Sequence, residues 1–396
     1  MSSDHNKDSS FPDLSFKETR PEFRFGEGKI SGVLSIFLGL LALGGVMALR
    51  FPGIFSTPDA RASYPMETIR LLIDIVLFSA LALGVLSFIL SERKSRGLTG
   101  AGLAALALAL GGSRVQIEGP IAEGPFLGLD WFLLSIFILA LIFVPIERLF
   151  ARLRDQRVFR KGWRTDLAHF GVSHILVQVT VLATMLPAVV FFRWAISDVL
   201  QSWISSQPLW LQFIEAMFVA DLFAYIAHRM FHEVPFLWRF HAIHHSSELL
   251  DWLASSRLHV VDIVVTRGFG FIPLYVLGFS DAAIVTYLIW ASFQGILNHA
   301  NLRFGFGPLR YLLVTPQFHH WHHSARTYNR NFAAHLPVID WMFGTYHLPG
   351  NDWPEELGII GSPVPDGYMG QLLYPLHRAK ADATPDDEEG REPPES

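Results

Sequence analysis

Apolar residues in this chain are grouped into long segments separated by short polar stretches. A helix of about 20 apolar residues crosses the hydrocarbon core of a bilayer, so most of these segments predict transmembrane helices. The segment at 98–111 is short for a crossing, and we expect it to be re-entrant, interfacial or only marginally spanning. The predicted fold class is all-α, a polytopic membrane helical bundle. The apolar segments are residues 31–49, 67–90, 98–111, 129–147, 167–192, 208–230, 260–278 and 281–298.

Composition supports a membrane protein. Of the 396 residues, 51% are hydrophobic and 17% are charged, values typical of a chain that is partly solvated by lipid. Cysteine is absent, so disulfides and thiolate ligands are excluded and any transition metal must be held by nitrogen and oxygen. The glycines show no phosphate-binding pattern, and we expect neither a nucleotide site nor a nucleic-acid partner.

The polar stretches divide the chain into five parts. Residues 1–28 are rich in Ser, Asp and Lys and predict a disordered cytosolic leader, and residues 378–396 predict a disordered acidic tail. Between them we expect an N-terminal transmembrane region at 29–147, a basic cytosolic loop at 148–164 and a catalytic domain at 165–377.

Lysine and arginine placement predicts the orientation. Basic residues follow the second apolar segment and fill the connection between the fourth and fifth, which marks both connections as cytoplasmic. If all eight segments cross, both termini and all histidine runs also face the cytoplasm. The basic residues are Arg93, Lys94, Arg96, Arg148, Arg152, Arg154, Arg157, Arg160, Lys161 and Arg164.

Histidine is concentrated in one part of the chain. Eleven of the 17 histidines lie between His228 and His323, most of them in the runs HRMFH (228–232), HAIHH (241–245) and HHWHH (319–323). Residues three or four apart on a helix share a face, with Cβ atoms about 5–6 Å apart, which suits two ligands of one metal ion. The runs therefore predict a metal site, and because there are three of them the cluster can hold more than one ion.

The first run ends a helix with a polar stripe. Asp221, Tyr225, His228 and His232 follow each other in steps of four, three and four residues. An acid at membrane depth is costly without a partner, so we expect Asp221 to accept a hydrogen bond from the distal N–H of a ligand histidine. For this run alone, a helix that simply ends in interfacial histidines is an open alternative.

The second run points to two ions or to one ion and an acid. His241 shares a helical face with His244 or His245, whereas the two adjacent histidines point about 100° apart. Those two can bind different ions. Alternatively, one of them can pair with a nearby acid, either Glu248 or Asp251.

Two single histidines give weaker signals. His259 has Asp262 three residues further on, and His299 lies at the end of the last apolar segment. A lone histidine is more often structural, so each needs support from its position in the fold.

The third run repeats the spacing of the second. His319, His322 and His323 have the same H-x-x-H-H pattern, and His320 is an extra member without a clear role. A surface tract that scavenges metal is usually polar and of low complexity. This run instead follows a Thr-Pro helix start and is surrounded by Phe and Trp.

Together these motifs resemble the fatty acid hydroxylase superfamily, which includes membrane sterol desaturases and sphingolipid hydroxylases. The resemblance covers about 165–350 and is carried by HRMFH, HAIHH, SSRLH, NHANL, TPQFHHWHH and NRNFAAHLPVIDWMFGTYHLP. It implies a bundle of membrane helices with a histidine-rich cytosolic cap that holds a dimetal centre, namely two iron ions bound almost wholly by imidazoles. It also implies O₂-dependent hydroxylation or desaturation of a lipid C–H bond. The implied ligands are His228, His232, His241, His244, His245, His319, His322 and His323, with His299 as a further ligand and His259, His320, Asp221 and Asp262 as possible ligands or neighbours of the ligands.

The chain departs from the family pattern in two places. The usual Pro-x-Glu after RLH is Val260, Val261 and Asp262 here, so the acid is shorter. The usual Asn-Tyr-Gly after the last run is Asn-Phe-Ala at 331–333. The region 29–147 lies outside the resemblance, and its function is open.

Cleavage of an unactivated C–H bond requires an oxidant made from O₂, which no side chain supplies. We find no redox domain in the sequence and therefore expect an external electron donor of ferredoxin or cytochrome type. A histidine-rich membrane metal-binding or transport protein is an alternative, although transport needs polar groups at successive depths. A zinc-dependent lipid hydrolase is less favoured because it needs only three protein ligands and a water. The residues do not decide between hydroxylation and desaturation, nor do they identify the lipid.

Overall fold

In the computed structural model, the described residues are 27–57, 61, 65–117, 127–175, 177–327, 329–361 and 363–376. Within these ranges the regular structure is helical, apart from two isolated bridges, Ala151 with Leu302 and Ser324 with Leu357. The all-α prediction is confirmed for this part of the chain. The predicted leader, except for residues 27–28, and the predicted acidic tail lie outside the described residues.

The N-terminal region forms helices α1 (Lys29–Arg50), α2 (Pro52–Phe55), α3 (Met66–Leu90), α4 (Ser95–Ala109) and α5 (Leu129–Leu149). The C-terminal region forms α6 (Trp163–Ile175), α7 (Val177–Phe192), α8 (Asp198–Ser205), α9 (Leu209–Glu233), α10 (Pro235–His245), α11 (Val260–Leu277), α12 (Asp281–His299), α13 (Pro316–His322), α14 (Pro337–Phe343) and α15 (Tyr368–Leu373). A 3₁₀ helix at Trp252–Ser256 lies between α10 and α11.

Helices α1, α3 and α4 pack closely through small residues. The Ser35 hydroxyl on α1 donates a hydrogen bond to the Ala80 carbonyl on α3 at 2.7 Å. A Cβ added to Gly100 on α4 would lie 2.0 Å from the Ser35 hydroxyl oxygen, and one added to Gly97 would lie 2.5 Å from the Gly84 carbonyl oxygen. Small residues allow this close backbone approach, which is a common way for membrane helices to associate.

The number of helices able to cross a membrane is smaller than the sequence predicts. Five described helices, α1, α3, α5, α9 and α11, are long and apolar enough, and a pair bent by 116° (Val181–Ala195 with Asp198–Ser205) adds a sixth if it counts as one span. Helix α4 has 15 residues, roughly 22 Å, which is short of the hydrocarbon thickness. The chain is a multi-pass membrane protein, but eight crossings are not found, so the orientation that they implied stays a prediction.

Helix α5 joins the two regions. At its start, the Asp130 carboxylate accepts hydrogen bonds from the Thr57 backbone N–H and hydroxyl, each at 3.0 Å. Further along α5, Phe143 is buried in a cluster that also contains Phe170 on α6 and Trp252 in the 3₁₀ helix. The N-terminal bundle is therefore packed against the part of the chain that carries the histidines.

Candidate metal centre

The local sequence explains how the histidine runs come to face each other. Helix α9 ends at Glu233, Val234 is extended, and Pro235 begins α10 at the position where proline is best tolerated in a helix. This sharp turn places the second run beside the first. The third run lies on α13, which begins with an N-cap hydrogen bond from the Phe318 amide to the Thr315 hydroxyl and has proline next in the chain.

The structure brings nine histidines into two adjacent groups. In each group every member offers one ring nitrogen, and these atoms all lie within 4.8 Å of one another. All nine residues that the sequence predicted as principal ligands are included, among them His299, which is weak as a single residue. The first group is His228, His232, His241, His245 and His322, and the second group is His244, His299, His319 and His323.

In the first group, two imidazole rings point the lone pairs of their Nε2 atoms at each other. The Nε2 atoms of His228 and His241 lie 3.0 Å apart. Their Nδ1 atoms lie 2.7 Å from the Phe332 carbonyl and 2.6 Å from the Asp262 carboxylate, acceptors that require the proton of each neutral ring to be on Nδ1. Two Nε2 lone pairs at this distance repel each other unless a cation lies between them.

The second group has the same arrangement. The Nε2 atoms of His244 and His299 lie 3.2 Å apart, and their Nδ1 atoms lie 3.1 Å from the Arg257 carbonyl and 2.7 Å from the Gly295 carbonyl. The Nε2 of His319 lies 3.0 Å from that of His299. Nitrogens bound about 2.1 Å from one ion at right angles are roughly 3.0 Å apart, so these separations match ligands of a shared ion.

The remaining contacts fit the same description. His322 has its Nδ1 2.8 Å from the Arg330 carbonyl and its Nε2 3.1 Å from the Nε2 of His245. His323 and His319 have their Nε2 atoms 3.1 Å apart. Among the described residues, the buried Nδ1 atoms of His245, His319 and His323 have no hydrogen-bond partner. Buried polar atoms are normally satisfied, so the cluster is suited to a metal that takes up its lone pairs.

The environment keeps five of these imidazoles uncharged. Burial, together with repulsion from neighbouring imidazoles, lowers the pKa of these five, which lie on α10 and α13 or directly after α13, well below the usual value. A neutral ring keeps the lone pair that a metal needs. The histidines concerned are His244, His245, His319, His322 and His323.

Of the two acids singled out beside the histidines, one is a direct partner and the other is not. Asp262 accepts a hydrogen bond from His241, so the shorter acid of this chain still reaches a ring of the first group. The expected contact between Asp221 and a ligand histidine is wrong. The Asp221 carboxylate accepts instead from the backbone amides of Ala334, His335 and Leu336 at 2.8, 3.1 and 2.7 Å, because it faces this loop and not the ring nitrogens.

His259 and His320 belong to neither group. The Nδ1 of His259 accepts from the Val261 amide at 3.1 Å and caps the start of α11. The ring of His320 packs edge-on against Trp353, with centroids 5.2 Å apart, and its Nδ1 lies 3.5 Å from a guanidinium nitrogen of Arg152. Both histidines support the polypeptide around the cluster.

The suggestion that Asp251 pairs with a histidine is also wrong. Asp251 forms an ion pair with Arg160 at 2.9 Å, whereas Glu248 is half exposed and lies 3.6 Å from Lys161. Arg160 is buried, although its position in the basic loop suggested only a role in membrane orientation. Its burial follows from a network of ion pairs that no linear spacing reveals.

Sequence reasoning also missed the carbonyls that orient the rings. Four backbone oxygens accept hydrogen bonds from Nδ1 atoms of the clustered histidines, those of Gly295, Arg257, Arg330 and Phe332. Every residue has a carbonyl, so residue type gives no signal for this role. Only the course of the chain assigns it.

Fold and site together define a multi-pass helical membrane protein with two adjacent groups of buried histidines. The model of the family described as fatty acid hydroxylase matches residues 213–345. Ornithine lipid hydroxylase OlsE of Rhizobium tropici is 32% identical over 265 residues, which cover 63% of this chain and 78% of that protein. The chain belongs to the fatty acid hydroxylase superfamily, which confirms the resemblance.

More distant relatives agree. Alkylglycerol monooxygenase of Danio rerio is 29% identical over 199 residues, which cover 47% of this chain and 43% of that protein. Very-long-chain aldehyde decarbonylase GL1-6 of Oryza sativa subsp. indica is 31% identical over 132 residues, covering 31% of this chain and 20% of that protein. No solved structure matches. The chain is thus an oxidoreductase of the lipid hydroxylase class with a metal centre that uses O₂.

Proposed function

We propose that the protein is a di-iron monooxygenase that hydroxylates a membrane lipid, with one ion held by the first histidine group and the other by the second. The observation that carries this proposal is that two Nε2 lone pairs face each other in each group, at 3.0 Å in the first and 3.2 Å in the second. A single ion cannot satisfy nine imidazoles. Two ions in adjacent groups can.

Ligand number and spacing favour iron over zinc. Five and four histidines exceed the three protein ligands of a catalytic zinc site. Nitrogens around a tetrahedral ion would lie roughly 3.4 Å apart, further than the 3.0 and 3.2 Å between the facing Nε2 atoms of His228 and His241 and of His244 and His299. Imidazole also suits copper and nickel, but activation of O₂ by a nitrogen-rich centre in this family points to iron. When bound, the iron pair supplies the oxidant that breaks the C–H bond.

The protein contributes a dry, preorganised site. Phe332 and Trp238 pack against His232, with ring centroids 5.0 and 5.2 Å away, and Trp238 also contacts His245 at 5.5 Å. These aromatic rings exclude water around the first group. A site that keeps water out protects a reactive oxidant from side reactions.

The position of the site suits a lipid substrate. Helices α9 and α12 end at the cluster and α11 begins beside it, so the histidines lie at one end of the membrane helices. A lipid can present its polar end, or the adjoining part of a chain, to this level of the bilayer. Relatives that are named hydroxylase or monooxygenase favour hydroxylation over desaturation. A cytoplasmic site and an external ferredoxin- or cytochrome-type donor belong to this proposal, supported by the basic residues near the apolar segments.

The test uses the full-length protein in lipid nanodiscs, reduced by an added one-electron carrier under ¹⁸O₂. We expect two irons per chain and a lipid product that has gained one labelled oxygen. His244→Ala and His322→Ala should each lose metal and activity while insertion into the membrane is unchanged. His174→Ala, which removes a histidine outside both groups, should retain them.

Three outcomes would contradict the proposal. Loss of two hydrogens without oxygen gain would identify a desaturase. Zinc with oxygen-independent lipid cleavage would identify a hydrolase. Movement of metal ions across the membrane of lipid vesicles that contain the protein, without oxygen uptake, would identify a transporter.

A further inference from the structure

Two buried carboxylates bind five consecutive backbone amides next to the first histidine group. Asp340 on α14 accepts from the amides of Phe332 at 2.7 Å and Ala333 at 2.8 Å. Asp221 on α9 accepts from the amides of the next three residues, 334–336. Both carboxylates are fully buried. A buried charge is costly unless its oxygens are satisfied, so these hydrogen bonds fix the segment strongly.

The same segment supplies two of the carbonyls that orient ligand rings. We call residues 330–336 the strap. The Arg330 carbonyl accepts from His322 Nδ1 at 2.8 Å, and the Phe332 carbonyl accepts from His228 Nδ1 at 2.7 Å. One face of the strap is therefore held by carboxylates, and its carbonyls hold two members of the first group.

Asn331 lies between these two carbonyls. Its φ of 60° is in the left-handed region, which asparagine tolerates better than most residues. Its side-chain amide donates to the carbonyls of Phe318 at 2.9 Å and His347 at 2.7 Å, and its oxygen accepts from the His347 amide at 2.6 Å. This conformation lets the carbonyls on either side reach different histidines.

We infer that Asp221 and Asp340 are positioning residues for the first metal ion, acting through the strap. By fixing the strap they keep the Nδ1–H groups of His228 and His322 bonded to carbonyls and turn both Nε2 lone pairs toward the ion. If the strap shifts, either ring can rotate or take its proton on Nε2, and a ligand is lost. The inference rests on the proposed metal-binding role of the first group.

The second group provides a matched comparison, because its orientation depends on a different buried acid. The Arg257 carbonyl accepts from His244, and the Arg257 guanidinium is bound to Asp166 at 2.5 Å. Asp166 is as buried as Asp340 but does not touch the strap in the contacts described. Loss of either carboxylate should destabilise the fold, yet each should affect a different ion.

The test is a Co²⁺ titration of the full-length protein in nanodiscs after removal of metal with a chelator. Visible absorption and metal analysis report how many ions bind and how tightly. In Asp340→Asn, the side-chain N–H₂ would face a backbone N–H that donates to the carboxylate in the wild type, so two donors would oppose each other. We expect one of the two ions to bind 10- to 100-fold more weakly, by analogy with other residues that orient metal ligands, and the other to be unchanged. Asp166→Asn should weaken the other ion instead.

A gentler variant keeps the comparison usable if Asp340→Asn does not fold. Thr345→Val removes the hydroxyl that donates to Asp340 at 2.7 Å and leaves both amides in place, so a smaller loss at the same ion is expected. Equal weakening of both ions in the Asp340 and Asp166 variants would overturn the inference, because it would indicate general destabilisation. Unchanged binding in Asp340→Asn would also overturn it. If the wild-type protein bound fewer than two ions, the proposed function itself would fail.

Discussion

The contact between Asp262 and His241 gives the sharpest test of how the protein tunes its metal ligands. Asp262 Oδ2 lies 2.6 Å from His241 Nδ1, and its other oxygen accepts from the Thr266 hydroxyl at 3.1 Å. Asp262→Asn is nearly isosteric. The asparagine oxygen can face His241 while its N–H₂ donates to the threonine hydroxyl, so the hydrogen-bond geometry survives and only the negative charge is lost.

The size of the effect follows from that charge. A hydrogen bond to a charged group contributes about 1.5–3 kcal/mol, against about 1 kcal/mol for a neutral pair. The carboxylate also makes the His241 ring a stronger donor to a cation and offsets part of the ion's charge. A difference of about 1.4 kcal/mol is a factor of ten in an equilibrium constant, so the first group should bind its ion roughly 10-fold more weakly, and up to 100-fold if the ion's charge adds to the effect.

The assay is the same Co²⁺ titration, read separately for the two ions, with Asp262→Glu as the control. Glutamate keeps the charge and is the usual residue at this position in the family, so the affinity of the Asp262→Glu variant for Co²⁺ should stay within a few fold of wild type. If Asp262→Asn bound both ions as tightly as wild type, the charge of Asp262 would be irrelevant to the metal. If glutamate and asparagine weakened binding equally, side-chain fit and not charge would be responsible.

Three further predictions concern separate parts of the molecule. His299→Ala should reduce metal content from two ions to one by elemental analysis, whereas His174→Ala should not change it, and full retention in the first variant would remove His299 from the ligand set. Gly100→Ala should lower the midpoint of thermal unfolding, because the new Cβ would lie 2.0 Å from the Ser35 hydroxyl oxygen on α1. Gly102→Ala, where an added Cβ has nothing within 4 Å, should leave the midpoint unchanged, and equal midpoints for the two variants would contradict the close packing of α1 against α4. Burial lowers the pKa of His335 to about 4, so between about pH 4 and 6.5 the unfolded chain binds a proton that the folded chain does not. The free energy of unfolding should therefore rise with pH across that window, and His335→Asn should flatten the slope in pH-dependent melting curves.

Much of the fold class and of the ligand set was predictable from the sequence. Apolar segments of about 20 residues have few options other than membrane helices, and histidines at helical spacing share a face regardless of the rest of the fold. The eight histidines that the three runs contribute to the two groups therefore needed no tertiary information to be selected, whereas His299, a single residue, entered the set only through the resemblance. Segments near the length limit were less predictable: α4 and α12 match predicted segments but do not qualify as spans, because length and hydropathy there are marginal.

The division of the histidines into two groups, and the contacts that orient their rings, follow from tertiary contacts. His244 and His245 are adjacent in the chain, yet they belong to different groups because their rings leave the helix in different directions. Asp221 lies on the same stripe as His228 but acts on a loop more than a hundred residues away.

The physical reason is one of range. Helical periodicity and hydrophobicity are local properties, so they can be read from neighbouring residues. A hydrogen bond from an imidazole to the Phe332 or Arg257 carbonyl depends on where a distant stretch of backbone passes, and every residue offers the same carbonyl. Helical spacing therefore identifies the histidine runs, whereas the folded backbone around each ring sets which of its nitrogens carries the proton.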